Sequence, residues 1–251
     1  MKKLLTIACL CFATFAFSQE DYVAISTKFI TATRDNDTKD IAKYTKLIAE
    51  ANQDELEKQL DNDKKRLTFF INVYNAFTHN ALTENPEQYK DRSKFFKSEQ
   101  FVIAGNKVNL DIIEHGFLRR SAVKWSLGLF GKLFPPKLER TFRVDDINWR
   151  IHFALNCGAK SCPPVVVYKL KTIDEQLEKS AKSYFIKNSS YDKKSNILKV
   201  PSLMSWFRGD FGNKSGTKKI AKKFGVLPQD AKPGIEYLDY DWTLEIENFA
   251  K

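Results

Sequence analysis

The segment from Arg66 to Thr83, RLTFFINVYNAFTHNALT, constrains the fold most strongly. It has helix length and is apolar over most of its circumference, so it is predicted to be a buried helix rather than a surface one. Asn72, Asn75 and His79 nevertheless fall at i, i+3 and i+7, on one face. Buried polar groups need hydrogen-bond partners, so whatever packs on that face must supply them. Asn85-Pro86 then ends the helix.

Around this helix the chain reads as α+β. Val23, Ile25, Phe29 and Ile30, then Ile41, Tyr44, Leu47 and Ile48, recur at roughly helical spacing, divided by the turn residues Asp35-Asn36-Asp37. Residues 19–62 are therefore expected to be a helical lead-in and residues 63–245 the main domain. Phe101 to Leu110 is expected to be a hairpin turning at Gly105-Asn106. Asp111 is placed to cap a short helix, with Glu114 at the capping-box spacing. Residues 121–140 hold Trp125, Leu127, Leu129, Phe130 and Phe134-Pro135-Pro136, an irregular apolar excursion. Strands are expected over 151–157, 196–200 and 235–238, and helices over 172–187 and 217–224. There is no βα alternation, so the expected architecture is helices packed on a small, mainly antiparallel sheet.

The first residues read as a secretory signal. Met1-Lys2-Lys3 precedes a short apolar run, and Ala16 and Ser18 occupy the −3 and −1 places of a cleavage after Ser18. The run is too short for a spanning helix, and no second long apolar run follows, so the processed chain is expected to be periplasmic or secreted, without a transmembrane segment. The formal charge of +10 falls to about +8 without residues 1–18. A basic exported protein could meet a peptide or an anionic cell-envelope polymer, although a solvated basic face also accounts for the lysines. No nucleic-acid motif is present, and export argues against such a partner.

The chemistry-bearing residues gather in a few places. Arg150 to Pro164 contains His152, Cys157 and Cys162, both cysteines beyond the N-terminal run. His115 follows Glu114, and His79 lies on the long helix. On a regular strand His152 and Cys157 would point to opposite faces, so a bulge or the turn at Gly158 would have to re-aim the thiol. Four readings stay open. Cys157 or Cys162 could be a nucleophile, with His115 or His152 as base and Glu114, Asn72 or Asn75 as orienter. The two cysteines could instead form a disulfide, as close pairs in exported proteins do. A Cys/His metal site has less to stand on, since C-x4-C is an unusual spacing and no second pair exists, so no metal or other cofactor is expected. Finally, histidines and thiols could simply be satisfied core groups. Arg119 could bind a carboxylate, though a salt bridge to Glu114 or Asp111 is the plainer expectation. Asp241, within Tyr240-Asp241-Trp242, could line a groove or sit paired at the edge of the core.

Several of these pieces together resemble the family known as domain of unknown function 547. They are Phe70 to Ala76 (FINVYNA), Leu110 to Arg119 (LDIIEHGFLR), Arg150 to Pro163 (RIHFALNCGAKSCP), the aromatic-Asp-Phe segment at Asp210, and Tyr240-Asp241-Trp242. The likeness spans roughly residues 50–245 and implies a domain rather than an activity. The arrangement is also loosely similar to papain- and transglutaminase-like thiol hydrolases, a fold-level analogy. In transglutaminase-like folds the nucleophile starts the buried helix, whereas here that helix carries Asn72 and Asn75. Either the thiol has moved to Cys157, as in a hydrolase or acyl transferase of peptide or amide bonds, or the chain is a non-catalytic binding or scaffold module.

Overall fold

The computed structural model describes residues 20–250. The expected signal segment, residues 1–18, lies outside the described residues. Helices α1 (Tyr22–Arg34), α2 (Thr38–Ala49) and α3 (Gln53–Gln59) lead into α4 (Asp63–Glu84). Each starts where an Asp or Asn can close the first turn. Asp21, Asp37, Asn52 and Asn62 accept from the N–H three residues on, at 3.0, 3.0, 3.0 and 3.1 Å. Helix α4 is buried along nearly its whole length, with Phe69, Phe70, Ile71, Val73 and Ala76 inaccessible to solvent. Val23, Ile25, Phe29 and Ile30 of α1 pack into the same core as α4.

The polar face of α4 finds its partners in backbone. Asn72 donates to Tyr168 O at 2.9 Å and accepts from Tyr168 N at 3.0 Å. Asn75 donates to Ala154 O and accepts from Asn156 N, both at 2.9 Å. Two side-chain amides thus replace a strand's ladder and hold non-regular backbone in the core.

After α5 (Arg92–Lys97) comes an antiparallel hairpin, β1 (Phe101–Ile103) and β2 (Asn106–Val108). Its turn is Ala104-Gly105, both at positive φ, one residue earlier than expected. Such a turn needs the left-handed region at both central positions, and Gly105 takes the second at no steric cost. Residues Ile112–Leu118 form a π-helical turn. Asp111 makes no cap there; the Asn109 side chain accepts from Ile112 N at 2.8 Å instead. A short helix α6 (Lys137–Phe142) follows the apolar excursion.

The segment expected to be a strand over 151–157 is a 3-10 turn, Trp149–Phe153, followed by irregular backbone. Asn148 caps it by accepting from Arg150 N at 3.2 Å. The strand pattern fails because Ile151, His152, Phe153 and Ala154 are all buried, which strand alternation cannot produce against a one-sided core. Helix α7 (Ile173–Lys187) leads to a second sheet, in which β3 (Ser190–Asp192) pairs antiparallel with β4 (Ile197–Val200). Helices α8 (Leu203–Trp206) and α9 (Asn213–Lys223) intervene before β5 (Gly234–Tyr237), which pairs parallel with β4. The fold is α+β but mainly helical, with separate two- and three-stranded sheets. The largest core gathers around α4 rather than on a sheet, and a second, containing Phe153, Phe185, Leu198, Met204 and Phe211, lies under β4, α7 and α9. No helix among the described residues is long and apolar enough to cross a membrane.

Candidate functional site

A cavity of about 370 Å³ opens where the π-helical turn, the 3-10 turn, α8 and the C-terminal segment meet. Leu155, Leu203, Trp206, Phe207 and Trp242 give it apolar walls. Its polar groups are Asp111, Glu114 and His115 of the π-helical turn and the adjoining residue, Lys124, His152, the thiols of Cys157 and Cys162, and the hydroxyl-bearing Tyr74 and Tyr240. An apolar concavity with a few convergent polar groups is the usual form of a small-molecule site.

One side of the cavity rests on a buried charge cluster. Arg119 and Asp210 are both without side-chain exposure, and Arg119 Nε donates to Asp210 Oδ2 at 2.6 Å. A second arm of the guanidinium donates to Asp210 Oδ1 at 3.2 Å. The third approaches His115 Nδ1 at 2.7 Å. An arginine can only donate, so Nδ1 of His115 accepts and its Nε2 carries the proton. The π-helical turn places His115 and Arg119 together, one turn apart. On the other side of Asp210, Oδ2 lies 2.7 Å from His152 Nε2. Burial works to raise the Asp210 carboxyl, but hydrogen bonds from His152 and Arg119 outweigh it and hold the group at about 2. An ionised carboxylate only accepts, so His152 Nε2 is protonated and its Nδ1 keeps a lone pair. That nitrogen has no hydrogen-bond partner among the described residues.

Both imidazoles are neutral at pH 7. Burial, then the Arg119 charge, pushes His115 down to about 3. Burial lowers His152 as well, against the opposing pull of Asp210. The ring of His152 stacks on Phe207 with centroids 3.9 Å apart and planes 13° from parallel. Among the residues lining the cavity, His115 therefore keeps an N–H and His152 an N lone pair, each tautomer fixed by a buried neighbour.

The thiols occupy another part of the wall. Both are free among the described residues; the disulfide that the sequence left open is not formed. Cys157 N donates to Cys162 Sγ at 3.0 Å, and the Tyr240 hydroxyl lies 3.4 Å from Cys157 Sγ and 3.1 Å from Cys162 Sγ. The hydrogen bond from Cys162, then that from Tyr240, lowers the Cys157 thiol against the effect of burial. Burial and the Cys157 charge push Cys162 well up. Burial also raises Tyr240 far above the ordinary phenol range, so its O–H stays a donor. Cys157 is thus the sulfur that ionises first, held by an S–H and an O–H donor rather than by an imidazole. The Glu114 charge reaches both Cys157, where it opposes ionisation, and His152, where it favours protonation.

Gly158 allows this turn. It sits at φ 85°, and a Cβ there would lie 2.6 Å from Leu82 Cδ1. Because 149–157 is not a strand, the parity separating His152 from Cys157 does not apply, and both line one cavity.

Of the residues singled out by sequence, Glu114, His115, His152, Cys157 and Cys162 come together. Arg119 lies behind the wall, paired with Asp210 rather than with Glu114 or Asp111. Asp111 is held instead by Lys124 Nζ at 2.7 and 2.8 Å. Asn72 and Asn75 bind backbone and touch no imidazole. His79 lies apart, 3.4 Å from Thr83 Oγ1 and beside Phe249. Asp241 is half exposed, accepting from Thr243 N at 2.9 Å. In the sequence Asp210 and Tyr240 stand out only as parts of aromatic segments. A lone Asp flanked by Phe207 and Phe211 was the available signal for a buried acid. Among the described residues no group of three or more His, Cys, Asp or Glu is placed to hold a metal ion.

Residues 58–185, just over half of the chain, match the family described as protein of unknown function, DUF547. No curated protein and no solved structure matches the chain. The analogy to papain- and transglutaminase-like enzymes gains no support from this, and α4 begins with Asp63 and Lys64 rather than a cysteine.

Proposed function

From the premise that the chain belongs to the DUF547 family, whose activity its description leaves open, we propose that this member is an exported thiol hydrolase or acyl transferase acting on a peptide or amide bond. One observation carries the reading: Cys157, whose ionisation its neighbours favour, opens onto the same apolar-walled cavity as two neutral, oppositely polarised imidazoles.

Cys157 is the nucleophile. Its proton passes to His152 Nδ1, and the thiolate adds to the substrate carbonyl carbon. The carbonyl oxygen becomes an oxyanion facing the Nε2–H of His115. As the C–N bond breaks, the imidazolium of His152 returns its proton to the leaving amine. Water, deprotonated by the same nitrogen, then releases the acyl group; an acceptor amine in its place gives transfer. Asp210 orients His152 and supports the imidazolium. No thiol–imidazole hydrogen bond exists among the described residues, so bound substrate or a water must complete that path. Catalytic contacts often tighten only in the complex.

The test is a pre-steady-state assay over activated esters and peptide amides. The expected result is a burst of one acyl group per chain, located on Cys157 by mass, and absent from Cys157→Ser with unchanged circular dichroism. A wild-type Cys157 that alkylates readily yet gives no burst and no adduct across the panel rejects the enzyme. A second reading, a non-catalytic binding or scaffold module whose two thiols are satisfied core groups, draws on both sulfurs lying at one Tyr240 hydroxyl. It predicts that purified protein takes up no alkylating agent until it is unfolded, with or without reductant.

A further inference from the structure

The apolar excursion after the π-helical turn does not fold inward. Trp125, Leu133 and Phe134 keep 80, 84 and 87 % of their surface exposed, and Leu129 and Phe130 beside them are also exposed. A cluster of this kind on one loop marks an interaction surface. The exposure does not come from a loose backbone. Ala122 and Gly131 form an antiparallel bridge, Val123 N donates to Phe130 O at 2.9 Å, and Lys132 N donates to Ser121 O at 2.7 Å. The loop is also pinned to the site: Gly209 N donates to Leu127 O at 2.8 Å. Gly128, at φ 83°, packs so closely that a Cβ would lie 2.2 Å from Asp210 Oδ1. These bonds hold the backbone of residues 121–132 while its apolar side chains stay exposed, and Leu133 and Phe134 follow directly.

The unpaired charge around the cluster has one sign, since Lys124 is held by Asp111 and Lys132 by Glu139. Arg120, Lys124, Lys132, Lys137, Arg140 and Arg143 fall within residues 120–143, against the single acid Glu139. Glu139 is buried and bound by Lys132. Arg120, Lys137, Arg140 and Arg143 have no carboxylate partner among the described residues.

We propose that this loop is a docking surface for an anionic phospholipid bilayer. Trp125, Phe130, Leu133 and Phe134 enter the headgroup–acyl boundary, and the surrounding Arg and Lys side chains meet lipid phosphates. Aromatic rings and long cationic stems suit that boundary, apolar at one end and wet at the other. A second copy of this chain is a poorer occupant. A self-complementary contact places the patch on itself and brings its basic rims together. Leu127 and Lys124 also line the cavity, so docking sets the cavity beside the bilayer.

The test uses the chain from Gln19 onward, which contains every described element. It is sedimented with vesicles of phosphatidylcholine, with or without a quarter phosphatidylglycerol, at low and high salt. Binding to the anionic vesicles is expected, with a blue shift of tryptophan emission that Trp125→Phe removes. Leu133→Asp/Phe134→Asp is expected to lower partitioning roughly tenfold or more. Lys137→Glu/Arg140→Glu is expected to lower it mainly for anionic vesicles at low salt. Both pairs are exposed, so melting temperatures should hold. Failure to bind any vesicle overturns the proposal. So does undiminished binding by the Asp variant. Concentration-dependent dimerisation that the Asp variant abolishes, without lipid binding, assigns the patch to self-association instead.

Discussion

Asp210 is the residue on which the site turns, because two buried groups depend on its charge. Arg119 spends three of its donors on Asp210 and His115, and His152 takes its tautomer from the same carboxylate. Asp210→Asn therefore leaves a buried guanidinium without its counter-charge. Breaking a buried pair from one side costs about 3–5 kcal/mol, so a fall of that order is expected in denaturant unfolding. A loss under about 1 kcal/mol would mean the cluster is hydrated rather than dry. The histidines add a pH dependence of definite sign. Both have folded values below the ordinary 6.5, so below that pH the unfolded chain takes up protons that the folded chain refuses. Stability should decline as pH falls below about 6.5, for His115 down to about 3 at up to ~1.4 kcal/mol per pH unit, with His152 adding in the same direction. Asp210 works in the same direction over a lower window, its contribution being lost as pH falls from about 4 through about 2. His115→Gln should flatten the upper part of the profile; a profile flat from pH 7 to 5 in the wild type would contradict this burial.

Helix α4 shows what a pattern of residues can and cannot announce. Its extent, its burial and the need of its polar face for partners follow from the apolar run and the spacing of Asn72 and Asn75. What those amides hold was hidden, because Ala154, Asn156 and Tyr168 are bound through backbone atoms that every residue carries. The same limit explains the misread strand at 151–157. A continuous apolar run is compatible with either a buried strand or a buried turn when its hydrogen bonds come from another element. The chemistry of Glu114, His115, His152 and Cys157 was legible as unusual in two segments, 110–119 and 150–163. The pairing of Asp210 with Arg119 was not, since it joins residues 91 apart through tertiary packing alone. If α4 organises the site through these amides, Asn75→Ala should do more than lose two hydrogen bonds. It leaves a carbonyl and an N–H buried without partners, at about 1–3 kcal/mol each. It should also loosen 154–157 locally. Amide exchange at Asn156 and Cys157 is expected to accelerate well beyond the global change in stability; uniform acceleration across the chain would show that the amide only adds to the general core.

The family match ends at residue 185, yet the site does not. Asp210 comes from the turn after α8, and Tyr240 and Trp242 come from the segment after β5. That last segment crosses the cysteine turn like a strap. Lys160 N donates to Thr243 O at 2.8 Å, Glu245 N to Gly158 O at 2.7 Å, and Val165 N to Asn248 O at 2.7 Å. It supplies no core helix or long strand, but it lays Tyr240 against both thiols and closes the cavity with Trp242, stacked on Trp206 at 5.5 Å. The residues that make Cys157 acidic are therefore divided between Cys162, from the matched part, and Tyr240, from the strap. A chain ending at Tyr237 keeps β5 and both core clusters' helices but loses Tyr240, Leu244, Ile246 and Phe249, which pack against the α4 core, so it should stay folded with a lower melting temperature while its site changes. Alkylation of Cys157 and Cys162 in the native state should become faster, because both sulfurs lose their cover. The pH dependence of Cys157 alkylation should shift upward, because one of the two donors that favour its thiolate is gone. Tyr240→Phe in the full chain separates the two effects: it keeps the ring and the strap and removes the O–H, so the pH profile should move up while Cys162 stays protected. Unchanged profiles in both variants would mean that the thiolate owes nothing to Tyr240.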